Sequence, residues 1–219
     1  MTNNPVRTAV VTGGHIFDVV NFHNLFHALD GVQPYIQHMD DFASSPEEVR
    51  DSYDSIVFYI MLMEGPSNEG QPWYAGNPRT AIEHLGETQQ GIVILHHAIL
   101  AYPQWPLWNE IVGIEDRSFG FHGGQSIHVD VTERKNPITR GISEWDMLDE
   151  TYTMADAETR SDVLLTTLHA KSMKTLGWTR QHGKSRVFCL QSGHDNQTWQ
   201  DARFRQILQC GIHWTARRI

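Results

Sequence analysis

Hydrophobic positions in the first hundred residues form strand-length runs separated by segments with a helical period. The apolar runs cover residues 7–13, 34–39, 53–61 and 91–97. An amphipathic helix period lies between the first two runs and is carried by Phe22, Leu25, Phe26 and Leu29. Further helical segments are expected at 45–50 and 79–90. Because the third and fourth runs lack polar alternation, they are typical of parallel strands buried on both faces.

The second half of the chain has a different pattern. Strand-like stretches lie at 126–133, 144–154, 162–169, 173–180 and 185–193. No long helical period separates them, so we expect an antiparallel extension or a β-rich insertion. The last segment, 199–217, is expected to be a helix. Together the two halves predict one α/β domain over residues 1–219, a parallel sheet flanked by helices with a β-rich C-terminal half.

Composition narrows the class of protein. The chain has 40% hydrophobic and 20% charged residues, as globular proteins do. Its net charge of −9 and its scattered basic residues argue against a nucleic-acid or anionic-membrane partner. No apolar stretch approaches the roughly 20 residues needed to span a bilayer, and residues 1–11 lack signal-peptide features. We therefore expect a cytoplasmic location, with Cys189 and Cys210 as core residues.

Histidines follow three of the predicted strands. His15 comes after the first strand, His96 after the fourth, and His194 with Asp195 after the stretch 185–193. The carboxyl ends of parallel strands meet in one crevice, so these side chains are expected to form a compact site. Two uses stay open. His15, His96 and His194 could hold a divalent metal such as zinc, or the site could perform metal-free acid/base catalysis.

Four blocks of sequence carry a resemblance to a known family. They are TGGHIFD, ILHHAILAYPQWPLWNEIVG, NPITRGISEWDMLDETYTM and GKSRVFCLQSGHDNQTWQDARFRQILQCGIHWTA. In this order they resemble the ThuA-like family of trehalose utilisation. The resemblance implies a fold related to class I glutamine amidotransferases, with a flavodoxin-like parallel sheet. It also implies a role in the breakdown of disaccharides such as trehalose, through oxidised keto-sugar intermediates.

The comparison with amidotransferases excludes one activity. Those enzymes need a thiolate at the elbow between a strand and a helix, activated by a nearby histidine. Here the elbow carries His96 and His97, and Cys189 lies in a different predicted strand. Glutamine hydrolysis by that route is therefore not expected. Because side chains alternate along a strand, His97 is expected to pack or form a hydrogen bond beneath the elbow.

A carboxylate for proton transfer is expected from the pair Asp149 and Glu150. Glu150 is the better candidate for a general base or a metal ligand, with His96 and His194 as the other catalytic residues. Hydrolysis by two carboxylates has less support, because no second acid can be placed opposite Glu150. In the family that the chain resembles, an aromatic residue often follows this glutamate directly. Here Thr151 comes first, which leaves the register open by one residue.

Aromatic side chains near the expected end of the sheet favour a saccharide ligand. Sugars stack their C–H faces on such rings while their hydroxyls form hydrogen bonds. The candidate substrate-binding residues are Trp73, Tyr102, Trp105, Trp178 and Asp195. Trp178 owes its place to the resemblance, in which that position belongs to the cleft wall. The aromatic loops are also compatible with a homodimer.

These features predict an enzyme of carbohydrate metabolism. A ketone acidifies the hydrogen on the neighbouring carbon, so one base and one electrophile suffice to isomerise a trehalose-type 3-keto disaccharide or to eliminate its glycosidic group. The alternative is a non-catalytic saccharide-binding or regulatory module that keeps the same cleft. The roles of His122 and His128 stay open: His122 flanks a turn that can enter the cleft, and the alternating strand around His128 favours a structural role.

Overall fold

A computed structural model describes residues 4–219. Residues 1–3, which belong to the segment 1–11 considered above for a signal peptide, lie outside the described residues. Its strands are β1 (Val6–Gly13), β2 (Val32–His38), β3 (Ser55–Ile60), β4 (Gly91–Leu95), β5 (Gly120–Val131), β6 (Trp145–Thr153), β7 (Asp162–Thr166), β8 (Thr175–His182) and β9 (Ser185–Leu190). Its helices are α1 (Val19–His27), α2 (Met39–Ser44), α3 (Glu47–Arg50), α4 (Pro78–Glu83), α5 (Pro106–Val112), α6 (Asn196–Gln200) and α7 (Ala202–Thr215). A short 3₁₀ helix, His96–Leu100, follows β4.

The strands form one sheet in the order β2-β1-β3-β4-β9-β8-β7-β5-β6. The first five of these are parallel, and each later neighbour pairs antiparallel. The predicted antiparallel extension is therefore present in β5 to β8. The strand β9 differs from that expectation, because it returns to lie parallel to β4. In this register Leu190 pairs with Leu95, so the segments that follow the two strands leave the sheet side by side.

Helices cover both faces of the parallel half. On one face, α1 and α7 pack Phe26 and Ile207 against Val57 and Val93 of the sheet. On the other face, α2, α4 and α5 pack against the alternate side chains of the same strands. Every residue of β3 and β4 is buried, which agrees with their unbroken apolar sequences. Burying one large aliphatic or aromatic side chain of this kind contributes about 1.5–3 kcal/mol, so this half supplies a firm base for the turns at its edge.

Several boundaries differ from the sequence expectation. The helix expected at 79–90 ends at Glu83, and the fourth strand ends at Leu95 rather than at residue 97. The second of these differences matters for the site. His96 and His97 belong to a tight helical turn, so they point from a corner of the chain rather than alternating along a strand. Within residues 4–219, no helix has both the length and the apolar character needed to cross a bilayer.

Candidate active site

The turn after β4 holds His96 in an uncommon backbone conformation. Its φ angle is +53°, in the left-handed region that non-glycine residues seldom occupy. The side chain is fully buried, at 0% exposure. Such strained positions persist only where the surrounding structure fixes them, and they cluster at functional sites. The turn thus aims an imidazole into the interior at the carboxyl end of the sheet.

Two hydrogen bonds fix the tautomer of His96. Its Nδ1 lies 2.7 Å from the carbonyl oxygen of Gln191. A carbonyl can only accept a hydrogen bond, so Nδ1 carries the proton and Nε2 presents a lone pair. The hydroxyl of Tyr152 lies 2.7 Å from Nε2 and donates to it. Burial raises the pKa of Tyr152 well above its usual range, and the charge of Glu150 adds to this effect, so the phenol stays protonated.

Glu150 and His194 complete a cluster around the same nitrogen. Oε1 of Glu150 lies 3.6 Å from Nε2 of His96 and 3.5 Å from Nδ1 of His194. The two imidazole nitrogens are 3.2 Å apart. The side chains of His194 and Glu150 retain 29% and 13% exposure, whereas His96 has none. A ligand therefore reaches His194 and Glu150 first, and His96 lies behind them.

The charges in this cluster act on one another. Burial favours the neutral form of Glu150, but the nearby imidazoles of His96 and His194 outweigh it and lower the pKa of the carboxyl group. Burial and His96 lower the pKa of His194, against the opposing charge of Glu150. At neutral pH the cluster therefore contains an ionised carboxylate next to a neutral imidazole, which is the protonation state of a general base with a hydrogen-bonding partner.

Asp149 anchors the segment that carries His194. Its buried carboxylate accepts hydrogen bonds from the backbone N–H groups of Gly193 and His194, at 2.9 and 3.1 Å, and from the hydroxyl of Thr198 at 2.8 Å. Burial raises the pKa of Asp149, while His96 and these donors oppose that rise. The strand β6 thus holds the His194 turn with one side chain and supplies Glu150 with the next.

His97 lies beneath the elbow, as the sequence predicts. Its Nδ1 is 3.0 Å from the carbonyl oxygen of Ile60, and the centroids of its ring and the Tyr59 ring are 4.1 Å apart. Burial and the neighbouring His96 lower the pKa of His97 to about 2, so it is neutral. The ring of His15 lies 4.6 Å from that of His97 and 5.9 Å from that of His194. His15 thus sits at the edge of the cluster rather than among its closest atoms.

An open cleft of about 440 Å³ lies in front of His194. Its walls come from the turn after β1, the turn after β9 and helix α6. They are His15, Ile16, Phe17, Asp18, His194, Asp195, Asn196 and Trp199. A hydrogen bond of 3.0 Å from the Asn196 amide to the Asp18 carboxylate ties the two turns together, and this bond is the largest contribution that lowers the pKa of Asp18 to about 2. The cleft combines carboxylates, imidazoles and aromatic rings.

The sequence of this region matches a family description. The model of the trehalose utilisation family, ThuA, matches residues 37–215, which include His96, Glu150 and His194. The chain belongs to the ThuA family. No curated protein sequence is significantly similar to it.

Solved structures place this ThuA chain among amidotransferase-like folds. A ThuA-like protein from Parabacteroides merdae has a TM-score of 0.74 at 18% identity, over 97% of this chain and 90% of its own. A cytoplasmic protein from Salmonella typhimurium has a TM-score of 0.68 at 13% identity, over 94% of this chain and 98% of its own. A glutamine amidotransferase from Thermotoga maritima gives 0.55 at 11% identity, over 96% and 98%. These similarities confirm the predicted fold class.

The amidotransferase nucleophile has no counterpart at the elbow of this ThuA chain. His96 occupies the turn after β4, and Cys189 lies inside β9 at 0% exposure. Burial raises the pKa of the Cys189 thiol, so the reactive thiolate is disfavoured. Cys210 is half-buried, and burial raises its pKa as well. Both cysteines lack the low pKa that a nucleophilic thiol needs.

The structure separates the predicted substrate-binding residues. Asp195 lines the cleft, although one of its oxygens also caps α6 by accepting from the Gln197 backbone N–H at 2.9 Å. Trp73 is 94% exposed, and the ring of Trp105 packs edge to face on Tyr102. Trp178 requires a correction. It is fully buried, and its indole N–H donates to the carbonyl of Val112, so it is a core residue and not part of the cleft wall.

The remaining candidates lie away from the cluster. His128 is exposed and pairs with Asp146 at 2.7 Å, which agrees with a structural role. The nearest polar partner of His122 is the hydroxyl of Thr153, at 3.4 Å. A role for Tyr152 was not predicted from the sequence. The available signal was its position two residues after Glu150, which puts both side chains on the same face of a strand. Both face His96, while Thr151 between them donates to the Lys171 carbonyl.

Proposed function

We propose that this chain is an enzyme of carbohydrate metabolism that acts on a trehalose-type disaccharide or its 3-keto derivative by removing a proton next to a carbonyl. Membership of the trehalose utilisation family supports the substrate class. The cluster of His96, Glu150 and His194 supports the chemistry. The observation that carries the proposal is an ionised carboxylate held between two imidazoles beside an open cleft.

Glu150 is the proposed base. In a 3-keto sugar the carbonyl makes the hydrogen on the adjacent carbon acidic, and the carboxylate takes that proton. His194, which is neutral at pH 7, then donates a hydrogen bond to the substrate carbonyl oxygen, which gains negative charge. His96 and Tyr152 are buried behind Glu150, so neither is accessible to a ligand. Their role is to hold Glu150 in place. A positioned base of this kind contributes about 10²–10⁴-fold to the rate.

The same three residues fit a divalent metal. Donors in a tetrahedral zinc site lie about 2.0–2.1 Å from the ion, which puts them roughly 3.3–3.4 Å from one another. The three donor atoms here are 3.2, 3.5 and 3.6 Å apart. The bond from His96 Nδ1 to a backbone carbonyl also orients Nε2, which carries the lone pair, in the manner common for metal-bound histidines. A bound zinc would polarise the substrate carbonyl. His15 does not share this set of atoms.

Turnover of defined sugars tests the proposal. Trehalose, sucrose and their 3-keto derivatives are incubated with the full chain and followed by NMR, after elemental analysis of the purified protein. We expect conversion of at least one keto sugar. Glu150→Gln keeps the size of the side chain and removes the base, so its rate should fall by about 10²–10⁴-fold. Glu115→Gln, an exposed glutamate, is the matched control and should leave the rate unchanged.

The outcomes separate the enzyme from the binding module. Saccharide binding without conversion of any sugar, in protein free of metal, would support a non-catalytic module and contradict the proposal. An unchanged rate in Glu150→Gln, with conversion by the wild-type chain, would remove Glu150 from the mechanism. His96→Ala adds a second check. It should abolish turnover, and circular dichroism establishes that the variant is folded.

A further inference from the structure

A second cleft, of about 350 Å³, opens beyond the carboxyl end of β3. Its size falls in the range of about 300–1,000 Å³ typical of small-molecule sites. Its lining contains both apolar and polar groups. The apolar groups include the side chains of Met39, Met61, Met63 and Pro78. The polar groups include those of Asp40, Glu64, Ser67, Gln71 and Tyr102.

Tyr102 is the distinctive residue of this cleft. It is 2% exposed, and its hydroxyl has no hydrogen-bond partner within the described residues. Buried hydroxyl groups are satisfied in the large majority of cases, so an unsatisfied one on a cleft wall indicates a missing partner. Burial raises the pKa of Tyr102, and the charge of Asp40 adds to the effect. The hydroxyl is therefore protonated and able to donate.

The backbone of Tyr102 is held in a strained conformation. Its φ angle is +48°, which is rare for a bulky side chain. Two hydrogen bonds enforce it: the Tyr102 N–H donates to the Leu62 carbonyl at 2.7 Å, and the buried guanidinium of Arg117 donates to the Tyr102 carbonyl at 2.6 Å. The fold thus maintains the placement of this ring against its backbone preference, as it does for His96.

The two clefts have no lining residue in common, but a short segment of chain lies between them. The carbonyl of Ile60 accepts from His97 beneath the elbow, and the next two residues, Met61 and Leu62, line the second cleft. Gly14, directly before His15, lies so close to this segment that a Cβ on it would come within 2.4 Å of the Met61 carbonyl oxygen. One short piece of chain therefore separates His15 and His97 from the second cleft.

We propose that the second cleft binds one sugar ring of the disaccharide, with the Tyr102 hydroxyl as a donor to it. This inference rests on the proposed function, since it assigns the substrate's second unit to a subsite. Sugar hydroxyls donate well to carboxylates such as Asp40 and Glu64. The flexible methionine side chains provide an apolar surface that adapts to the C–H face of a ring. The two carboxylates could equally bind an organic cation, so the experiment must distinguish a cation from a sugar as the ligand of this cleft.

Methionine methyl groups report on this cleft directly. The full chain is labelled with [¹³Cε]methionine and titrated with trehalose, methyl α-glucopyranoside or choline. The sugars should shift the methyl signals of Met39, Met61 and Met63 in a saturable way. Met147 and Met173, which are buried outside this cleft, serve as internal references and should not move.

Two variants test the role of the hydroxyl. Tyr102→Phe keeps the ring and removes only the oxygen, so it should fold as the wild type does and raise the Kd of the sugar by about fivefold, the effect of one neutral hydrogen bond. Tyr74→Phe, on a 54% exposed ring, is the matched control and should leave the Kd unchanged. Asp40→Asn tests the acceptor side and should also raise the Kd.

The outcomes of the subsite test are distinct from those of the turnover test. Sugar-induced shifts confined to the ring signals of His15 and His194 would overturn the subsite and leave the proposed function intact. Methyl shifts caused by choline and not by sugars would assign the cleft to a cation and overturn the inference. Methyl shifts that Tyr102→Phe weakens, without conversion of any sugar, would support the subsite and contradict the enzyme.

Discussion

Removal of the Asp149 carboxylate should loosen the turn that carries His194. In Asp149→Ala the backbone N–H groups of Gly193 and His194 lose their acceptor, whereas the Thr198 hydroxyl keeps a second acceptor, the Leu148 carbonyl at 2.9 Å. A buried donor left without a partner costs about 1–3 kcal/mol. Two backbone donors, partly relieved by local movement, give an expected loss of about 3–5 kcal/mol in the free energy of unfolding. That is a large part of the total stability of a typical domain, about 5–15 kcal/mol.

Urea denaturation followed by tryptophan fluorescence measures this loss as a shift of the midpoint at constant m-value. The control is Asp146→Ala on the same strand, where an exposed carboxylate pairs with His128; it should change the unfolding free energy by less than about 1 kcal/mol. A loss below about 1 kcal/mol in Asp149→Ala would contradict this prediction. It would mean that water satisfies the two N–H groups and that Asp149 does not position His194.

Three further predictions concern the framework of the site. Gly14→Ala should destabilise the chain by about 2–5 kcal/mol in urea, because the residue has a φ of +76° and its new Cβ would meet the Met61 carbonyl; a neutral effect would contradict the close approach. Arg117→Met should lower the thermal midpoint by several degrees, since the guanidinium donates to three backbone carbonyls after the elbow, whereas Arg160→Met, on an 83% exposed side chain, should not. The pKa of His97 is lowered to about 2 in the folded chain, against about 6.5 in the unfolded chain. Its contribution to the free energy of unfolding is therefore fully present above pH 6.5, and below that pH it is lost by up to about 1.4 kcal/mol per pH unit. Urea titrations between pH 7 and 5 should show a shallower slope in His97→Asn, and equal slopes would exclude this linkage.

Local pattern was enough to predict the parallel half of the fold. The apolar runs that became β3 and β4 are buried throughout, because strands covered on both faces leave no room for polar alternation. The position of β9 could not be predicted in this way. Its pairing with β4 joins residues almost a hundred positions apart, and a strand pattern does not specify a distant partner.

The candidate site was predicted in part, for related reasons. Strand ends in one crevice placed His96 and His194 near each other, and the structure has their nitrogens 3.2 Å apart. Burial was not available from the sequence, so the inner position of His96 and the core position of Trp178 were missed. The roles of Asp149 and Tyr152 depend on which face of β6 each side chain occupies, and that required the register of the strand.

The exchange of carbon-bound hydrogen with solvent reports directly on proton abstraction by Glu150. The substrate, 3-keto-trehalose, is incubated in D₂O with the wild-type chain, with Glu150→Gln and with buffer alone, and deuterium at the carbons next to the ketone is measured by NMR. Proton abstraction by Glu150 predicts incorporation by the wild-type chain well above the buffer rate, reduced by about 10²–10⁴-fold in Glu150→Gln. Incorporation at the buffer rate by the wild-type chain, or at the wild-type rate by Glu150→Gln, would contradict the account.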